Sequence, residues 1–508
     1  MIDSGSSIGP AQRVVPGIFG ALLPSIYLLI TSTTTLIQGV WPYDVKRMMQ
    51  FWLLLALFML PVLNKKIRGT YFQLLGRIPR FVLAAMTVIF VLGVLSAIVN
   101  SKSGMHLANS FSDIALLYAL FFAVFVVAAC RLETGHVFSQ VVVGLMALTV
   151  IAVGFQELIG VAAAHANGMD FNYEIALLHF SKPRFYNQFQ SWAIPVVSAL
   201  PILFPGRRSI RWLSLLALAL LWYVLLMTAG RGTLVALFCS FVFALVFLPS
   251  IRSYLVKWQS AGILAGALIY IVVLVSFGAP GIQNGEANPT PDTGKSRYFA
   301  ESLGRPMMHT SGRFWMWTTA LEDVKKSPLL GIGPYNYSCT RSHWYGHPHS
   351  FPVQFAAEWG LIAATAMLLV FAWLFLVSTR AVRKVDDGEK DESLFPALLL
   401  VSFLTAMIHA CLSGVLIMPA SQVTGILVCG LLLGSFPLTE TCEGHSFRPF
   451  WALVFTLLIS VFLLFLGRSE LNTMQERAEK LPPRIIAPRI WQNAKVCTVY
   501  VSPDHVTN

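Results

Sequence analysis

Thirteen apolar runs of near membrane-spanning length recur along this chain, at about residues 15–38, 49–63, 81–99, 111–130, 137–160, 189–204, 212–229, 233–249, 260–278, 353–377, 394–415, 420–437 and 450–467. A helix crosses the hydrocarbon core with about 20 consecutive apolar residues. So many runs cannot be covered by polar surface in a chain of 508 residues of which 56% are hydrophobic and 12% charged, since soluble domains carry about 25% charged residues. The sequence therefore predicts an all-α polytopic membrane protein of about 12–13 transmembrane helices, whose solvent over most of its length is the lipid bilayer.

The net charge of +12 does not call for nucleic acid, because no basic stripe with interleaved aromatics is present and Lys and Arg accumulate in cytoplasmic loops. One set of alternate short loops holds sixteen of them: Lys65, Lys66, Arg68, Arg77, Arg80, Arg131, Arg207, Arg208, Arg211, Arg252, Lys257, Arg380, Arg383, Lys384, Lys390 and Arg448. The opposite set holds six: Lys46, Arg47, Lys102, Lys182, Arg184 and Arg231. The first set is expected inside. The chain then divides into N-terminal transmembrane helices (1–278), an exported loop with short amphipathic helices (279–352), C-terminal transmembrane helices (353–467) and an exported tail (468–508). The stretch 285–294 (GEANPTPDTG) is turn-rich. The run beginning at Val14 is long enough to span and is followed by no small-residue cleavage site, so it is expected to stay as the first helix. Seven cysteines (130, 239, 339, 411, 429, 442, 497) show no paired spacing and suggest no disulfide framework.

Ionisable residues next to or inside apolar runs cost energy and usually have a partner or a task. Three places stand out on the exported side. In Thr228-Ala229-Gly230-Arg231-Gly232-Thr233, a tight turn between two spans pins Arg231 at the membrane face. Glycines permit close approach of a ligand, and a guanidinium offers a planar fork for phosphate oxygens; the bland reading is an arginine snorkelling to the interface. The segment from His309 to Trp317, continuing to Lys326, has Phe314, Trp317, Leu321 and Val324 at helical spacing with Thr310 or Ser311 as cap. It predicts a surface helix with Arg313 in its first turn, where backbone N–H groups favour an anion; equally, Trp315 and Trp317 could simply anchor a packing helix. The third place is His343-Trp344-Tyr345-Gly346-His347-Pro348-His349-Ser350, before the chain re-enters the membrane. Three histidines with Cys339 nearby raise the idea of zinc, but Gly346 and Pro348 break any helix aligning them. A metal-free general base suits His349 better, the alternative being a cluster of interfacial histidines. Glu358 lies nine residues on, about two and a half turns deeper, and should pair with an arginine or serve the site. Weaker candidates are the stretch Lys182 to Gln188, with Arg184 and Gln188 as pocket-lining groups, and the turn around His409, Ser413-Gly414 and Gln422, which could equally be helix packing.

Together these places resemble the bacterial O-antigen ligase superfamily. Arg231-Gly232 matches its Arg-Gly turn, although Gly230 stands where the family commonly has Ser. Arg313 near Trp315 and Trp317 matches the arginine of its long periplasmic loop, and Pro328 to Gly333 (PLLGIG) the run that follows. His349-Ser350 and Gly360 match its His-[Asn/Ser/Gln]-nine residues-Gly pattern, with Ala363 at the next family glycine. The resemblance covers roughly residues 180–435. It implies a multi-pass enzyme of the bacterial inner membrane whose site faces the periplasm and moves a glycan from undecaprenyl diphosphate to an acceptor hydroxyl. Arg231 and Arg313 would hold the diphosphate and stabilise the leaving group, and His349 would act as base in an inverting, metal-independent displacement without a cofactor. A covalent route through His349 or Glu358 stays open. Arg184, Gln188, His347, Glu358 and Gln422 would bind substrate. The acceptor expected first is lipid A-core, the ligase reaction. Protein O-glycosylation, which the odd span count and exported tail favour, comes second, and glycan polymerisation third. A transporter is the rival class, disfavoured because the charges gather at one face rather than at the midplane of repeated helices.

Overall fold

The computed structural model describes residues 10–34, 42–101, 104–168, 177–277, 313–340, 346–386, 390–436 and 449–478, all helix, turn or connecting chain without a strand. The stretch 285–294, the caps Thr310 and Ser311, His343, Cys442, Cys497 and most of the tail 468–508 lie outside them.

The helices are α1 (Pro10–Thr33), α2 (Pro42–Leu63), α3 (Lys65–Gly76), α4 (Arg80–Asn100), α5 (Gly104–Thr134), α6 (His136–Ala166), α7 (Pro183–Val197), α8 (Arg208–Met227), α9 (Arg231–Phe247), α10 (Arg252–Phe277), α11 (Arg313–Lys326), α12 (Phe351–Asp386), α13 (Lys390–Ala410), α14 (Pro419–Leu433) and α15 (Pro449–Ala478). Each of the thirteen apolar runs falls on one of them. Among the described residues eight helices are long and apolar enough to cross a membrane, and four shorter apolar helices accompany them. The chain is an all-α, multi-pass membrane protein.

Two helices form the centre. Every residue of α7 except Arg184 is buried, and so is every residue of α14 up to Leu432, although α7 carries Asn187, Gln188, Gln190 and Ser191. A helix buried on all sides sits inside a bundle rather than against solvent. Around this pair α13 packs on α7 and α9, α5 on α14, α12 on α4, α1 on α6 and α8 on α10. The run 189–204 is not one span segment: Pro195 lies in the last turn of α7, where it removes a backbone donor, and the chain turns before a single helical turn at Leu200–Leu203.

One local feature departs from the sequence reading, and a second refines it. The basic stretch after the second span, expected as a loop, is the helix α3. Asn64 caps it, its side chain accepting from Lys66 N and Ile67 N at 2.9 and 3.1 Å, and Ile67, Thr70, Tyr71 and Leu75 face inward. The inward face of α11 is Met316, Thr319, Ala320, Asp323 and Val324, packed against α12, while Phe314 and Leu321 are 67% and 49% exposed. Apolar residues thus stand on both faces of this helix, which suits an expected surface helix between the membrane and α12.

The long helix α12 is broken at Gly360, whose φ of +84° and ψ of 166° are non-helical. The break frees main-chain groups, and the PLLGIG segment takes them. Ile332 N donates to Ala357 O at 2.9 Å, Gly333 N to Glu358 O at 3.0 Å, and Leu361 N to Pro328 O at 2.8 Å. Glu358 completes the clasp, its buried carboxylate accepting from Tyr337 N and Gln354 Nε2, both at 3.1 Å. A methyl group at Gly360 would overlap the Leu329 carbonyl. Gly360→Ala is therefore expected to cost about 2 kcal/mol or more, the scale of enforced backbone strain, read as a lower thermal midpoint in detergent. Gly144→Ala, where a methyl group meets nothing within 4 Å, should leave the midpoint unchanged or raise it.

Candidate functional site

Four segments far apart in sequence meet at one end of the bundle. The first is the start of α7, where Pro183 occupies the opening turn and is pre-organised for helix. This places Arg184 outward and Asn187 inward. Asn187 fastens the second segment, the turn between α8 and α9. Its Oδ1 accepts from Thr228 Oγ1 at 2.9 Å and its carbonyl from Thr233 Oγ1 at 3.1 Å, so the turn is held on both sides of Arg231. A Cβ at Gly230 would lie 2.5 Å from Asn187 Nδ2, which is why glycine stands there. Arg231 heads α9 and is exposed.

The third segment joins α13 to α14. Gln188 Nε2 donates to Ser413 Oγ at 2.9 Å, Ser191 Oγ lies 2.6 Å from His409 Nδ1, and His409 Nε2 sits under Gly232. The fourth carries the histidines. The buried His347 ring rests on Gly414, its Nδ1 accepts from His349 N at 3.1 Å, and the two imidazoles meet edge to face with centroids 4.3 Å apart. Trp317 Nε1 donates to Pro348 O at 2.9 Å, which holds α11, and Arg313 at its head, beside this loop.

Charge and strain concentrate here. Burial, then the Arg184, Arg313 and Lys182 charges, push the His349 imidazole down to about 3, so the ring is neutral at physiological pH. Arg313 is itself depressed, first by burial and then by Arg184. Among the described residues none of the Arg184, Arg231 and Arg313 side chains has a hydrogen-bond or ion-pair partner. Four described non-glycine residues have positive φ: Ser181 (64°), Ala229 (44°), Tyr335 (70°) and His349 (53°). Three of them border Lys182, Arg231 and His349, and the fourth lies in the clasp. Such backbone costs about 1–2 kcal/mol each, and it gathers where a structure holds groups for a purpose.

The structure thus brings Arg184, Gln188, Arg231, Arg313, His347 and His349 into one neighbourhood. Glu358 is instead engaged in the clasp described above. Gln422 lies in a buried network with Arg47, which donates to Gln422 Oε1 and Gln50 Oε1 at 2.5 Å and to Ile417 O at 2.6 Å. Sequence reasoning took Arg47 for a loop cation. The signal available was Pro42 with Asp44 just inside, a helix start seven residues ahead of the assumed span. Asn187, inside the Lys182–Gln188 stretch, was also passed over as a site residue.

Arg47, Gln354 and Gln422 lie on the wall of an intramembrane cavity of about 210 Å³. It is otherwise lined mainly by apolar and aromatic side chains, among them Phe351, Trp359, Phe371, Leu120 and Leu433, so it starts two residues from His349 and continues along α5, α12 and α14.

A multi-pass membrane bundle that gathers, at one end, arginines with no hydrogen-bond or ion-pair partner among the described residues and a neutral histidine has the charge to receive an anion there. Residues 216–368, from α8 into α12, match the family model described as O-Antigen ligase. The match contains Arg231, Arg313 and His349, and it supports the O-antigen ligase superfamily, a glycosyltransferase family working on lipid-linked glycans. None of the curated proteins matches the chain.

Proposed function

We propose that the protein transfers a glycan from undecaprenyl diphosphate to an acceptor hydroxyl at the periplasmic face of the inner membrane, with lipid A-core as acceptor. The observation that carries this reading is the set of guanidiniums that have no partner among the described residues, at the same end of the bundle as a neutral imidazole. Like charges such as Arg184 and Arg313, each felt at His349, are unfavourable until a counter-charge arrives, and a diphosphate supplies several acceptor oxygens for planar guanidinium forks. The apolar cavity opening beside His349 suits the carrier's polyprenyl chain.

In this mechanism Arg231 and Arg313 bind the diphosphate and stabilise the charge that grows on it as the glycosidic carbon–oxygen bond breaks. Arg184 adds to the field at the mouth. His349 takes the proton from the acceptor hydroxyl as that oxygen attacks the anomeric carbon from the opposite side. One displacement with inversion follows, and neither a metal nor a cofactor enters it. His347, whose Nδ1 accepts from the His349 amide, orients the base.

The test is reconstitution of purified protein with lipid-linked oligosaccharide and three acceptors offered separately: lipid A-core, a pilin-type protein and free repeat units. Product on lipid A-core supports the proposal, product on either other acceptor replaces ligase by that branch, and uptake without glycosylation would leave a transporter. The base also predicts a pH profile. A depressed imidazole stays neutral as pH falls, so the acid limb of kcat/KM is expected well below the ordinary value near 6.5. Arg184→Gln removes one of the depressing charges, and the acid limb should then move to higher pH. A limb that stays in place would show that His349 is not the titrating group.

A further inference from the structure

The opposite end of the bundle holds a second, unassigned site. At the starts of the parallel neighbours α8 and α10, a cavity of about 480 Å³ is lined by Arg208, Arg211, Trp212, Lys257 and Trp258, with Leu215 and Ala261 below. One helix length, 20 residues from Arg208 to Met227, or about 30 Å, separates it from the Arg231 turn. It is therefore no part of the glycan-transfer site.

The cavity follows from how the two helices pack. Gly262 and Gly266 lie one turn apart on α10 and let α8 approach closely: a Cβ at Gly266 would meet Ala219 O and Trp222 Cβ at 2.7 Å, and one at Gly262 would meet Leu218 Cβ at 3.0 Å. Trp222 Nε1 donates to Gln259 Oε1 at 3.3 Å, and Tyr254 OH to Ser198 O at 2.6 Å, fixing α10 on both sides of the cavity's level. Toward the helix starts the glycines give way to Trp212, Leu215 and Trp258, and the space opens.

Loop cations on one membrane face need no ligand to explain them. Three cations sharing one concavity with two indoles and no carboxylate do. Trp212 is 69% exposed, and above it the outward faces of Leu264 (71%) and Leu268 (62%) continue the cavity as an apolar track along the helix pair. Positive charge at the rim, indoles at headgroup depth and an apolar track beyond are the complement of a phospholipid with an anionic headgroup. We infer that this cavity binds an anionic phospholipid, its phosphate held by Arg208, Arg211 and Lys257 and its acyl chains lying along α8 and α10; three cations favour a headgroup with two phosphates, as in cardiolipin.

The experiment uses the full-length protein in mild detergent, titrated with cardiolipin, phosphatidylglycerol and phosphatidylcholine while bound lipid is read by native mass spectrometry. Cardiolipin should bind best and phosphatidylcholine should not bind. The triple variant Arg208→Gln, Arg211→Gln, Lys257→Gln should lose at least tenfold in cardiolipin affinity, whereas Arg380→Gln with Arg383→Gln, cations at the end of α12, should not. Equal loss in both variants, or none in the first, would overturn the assignment and leave only general attraction to basic loops. A measurement on the unmodified chain guards against misfolding of the variant. Photoactivatable cardiolipin should crosslink to peptides holding 208–215 and 257–261, and crosslinks confined elsewhere would refute the site.

Discussion

His349→Ala is expected to reduce glycan transfer by a factor of about 10²–10⁴, the usual contribution of a positioned general base, while donor binding persists. The imidazole is neutral because burial and three neighbouring cations disfavour its charged form, and its backbone is held at a φ of 53° by the His347 and Trp317 hydrogen bonds. Alanine removes the proton acceptor and leaves the arginines in place, so the loss should appear in kcat with the donor's dissociation constant within a fewfold of wild type. His349→Asn separates chemistry from backbone geometry. Asparagine tolerates the left-handed region better than most residues yet cannot act as a base, so it should fold as wild type and be as inactive as alanine. A variant of either kind with more than a tenth of wild-type kcat would remove His349 from the mechanism.

The second large effect concerns the arginines. Arg231→Ala and Arg313→Ala should each lower kcat/KM about 10²–10³-fold, the scale for losing one preorganised donor to a developing anion. Lysine should restore only part of this, because an ammonium cannot reproduce a two-pronged contact. Both groups act on one leaving group, so the double variant should fall short of the product of the two losses. Arg184, exposed at the mouth, should affect donor KM more than kcat. Steady-state transfer at varied donor concentration distinguishes these cases. If Arg231→Lys and Arg313→Lys were fully active, the diphosphate contact would have to be assigned elsewhere.

Hydropathy made the membrane helices legible because in lipid the backbone must satisfy itself, and a long apolar run has no other regular option. The same physics hid other features. α3 reads as charge, since Lys65, Lys66 and Arg68 mask the inward Ile67, Tyr71 and Leu75. The helical spacing in α11 was legible but not which face packs: Met316, Ala320 and Val324 turn inward, whereas Phe314 and Leu321 do not. Arg231, Arg313 and His349 drew notice in the sequence because ionisable residues beside apolar runs are costly, and the structure brings their segments to one end of the bundle. The roles of Asn187 and Glu358 could not be read there, since a tether is defined by partners remote in sequence: Thr228 and Thr233 for one, Tyr337 and Gln354 for the other.

The clasp at the α12 break has a consequence for how such a protein can diversify. Its register is written in main-chain contacts, Ile332 and Gly333 to Ala357 and Glu358 and Leu361 to Pro328, which ask for a conformation at Gly331 and Gly360 rather than for particular side chains at Leu329 or Leu330, while Ile332 packs inward against Ala320, Val324 and Ala357. A stretch docked in this way can exchange its outward side chains at Leu329 and Leu330 while the helix that carries Arg313 and the loop that carries His349 keep their places. The order of that docked stretch is thereby set by main-chain geometry, and the side chains it carries outward are free to change without moving the break.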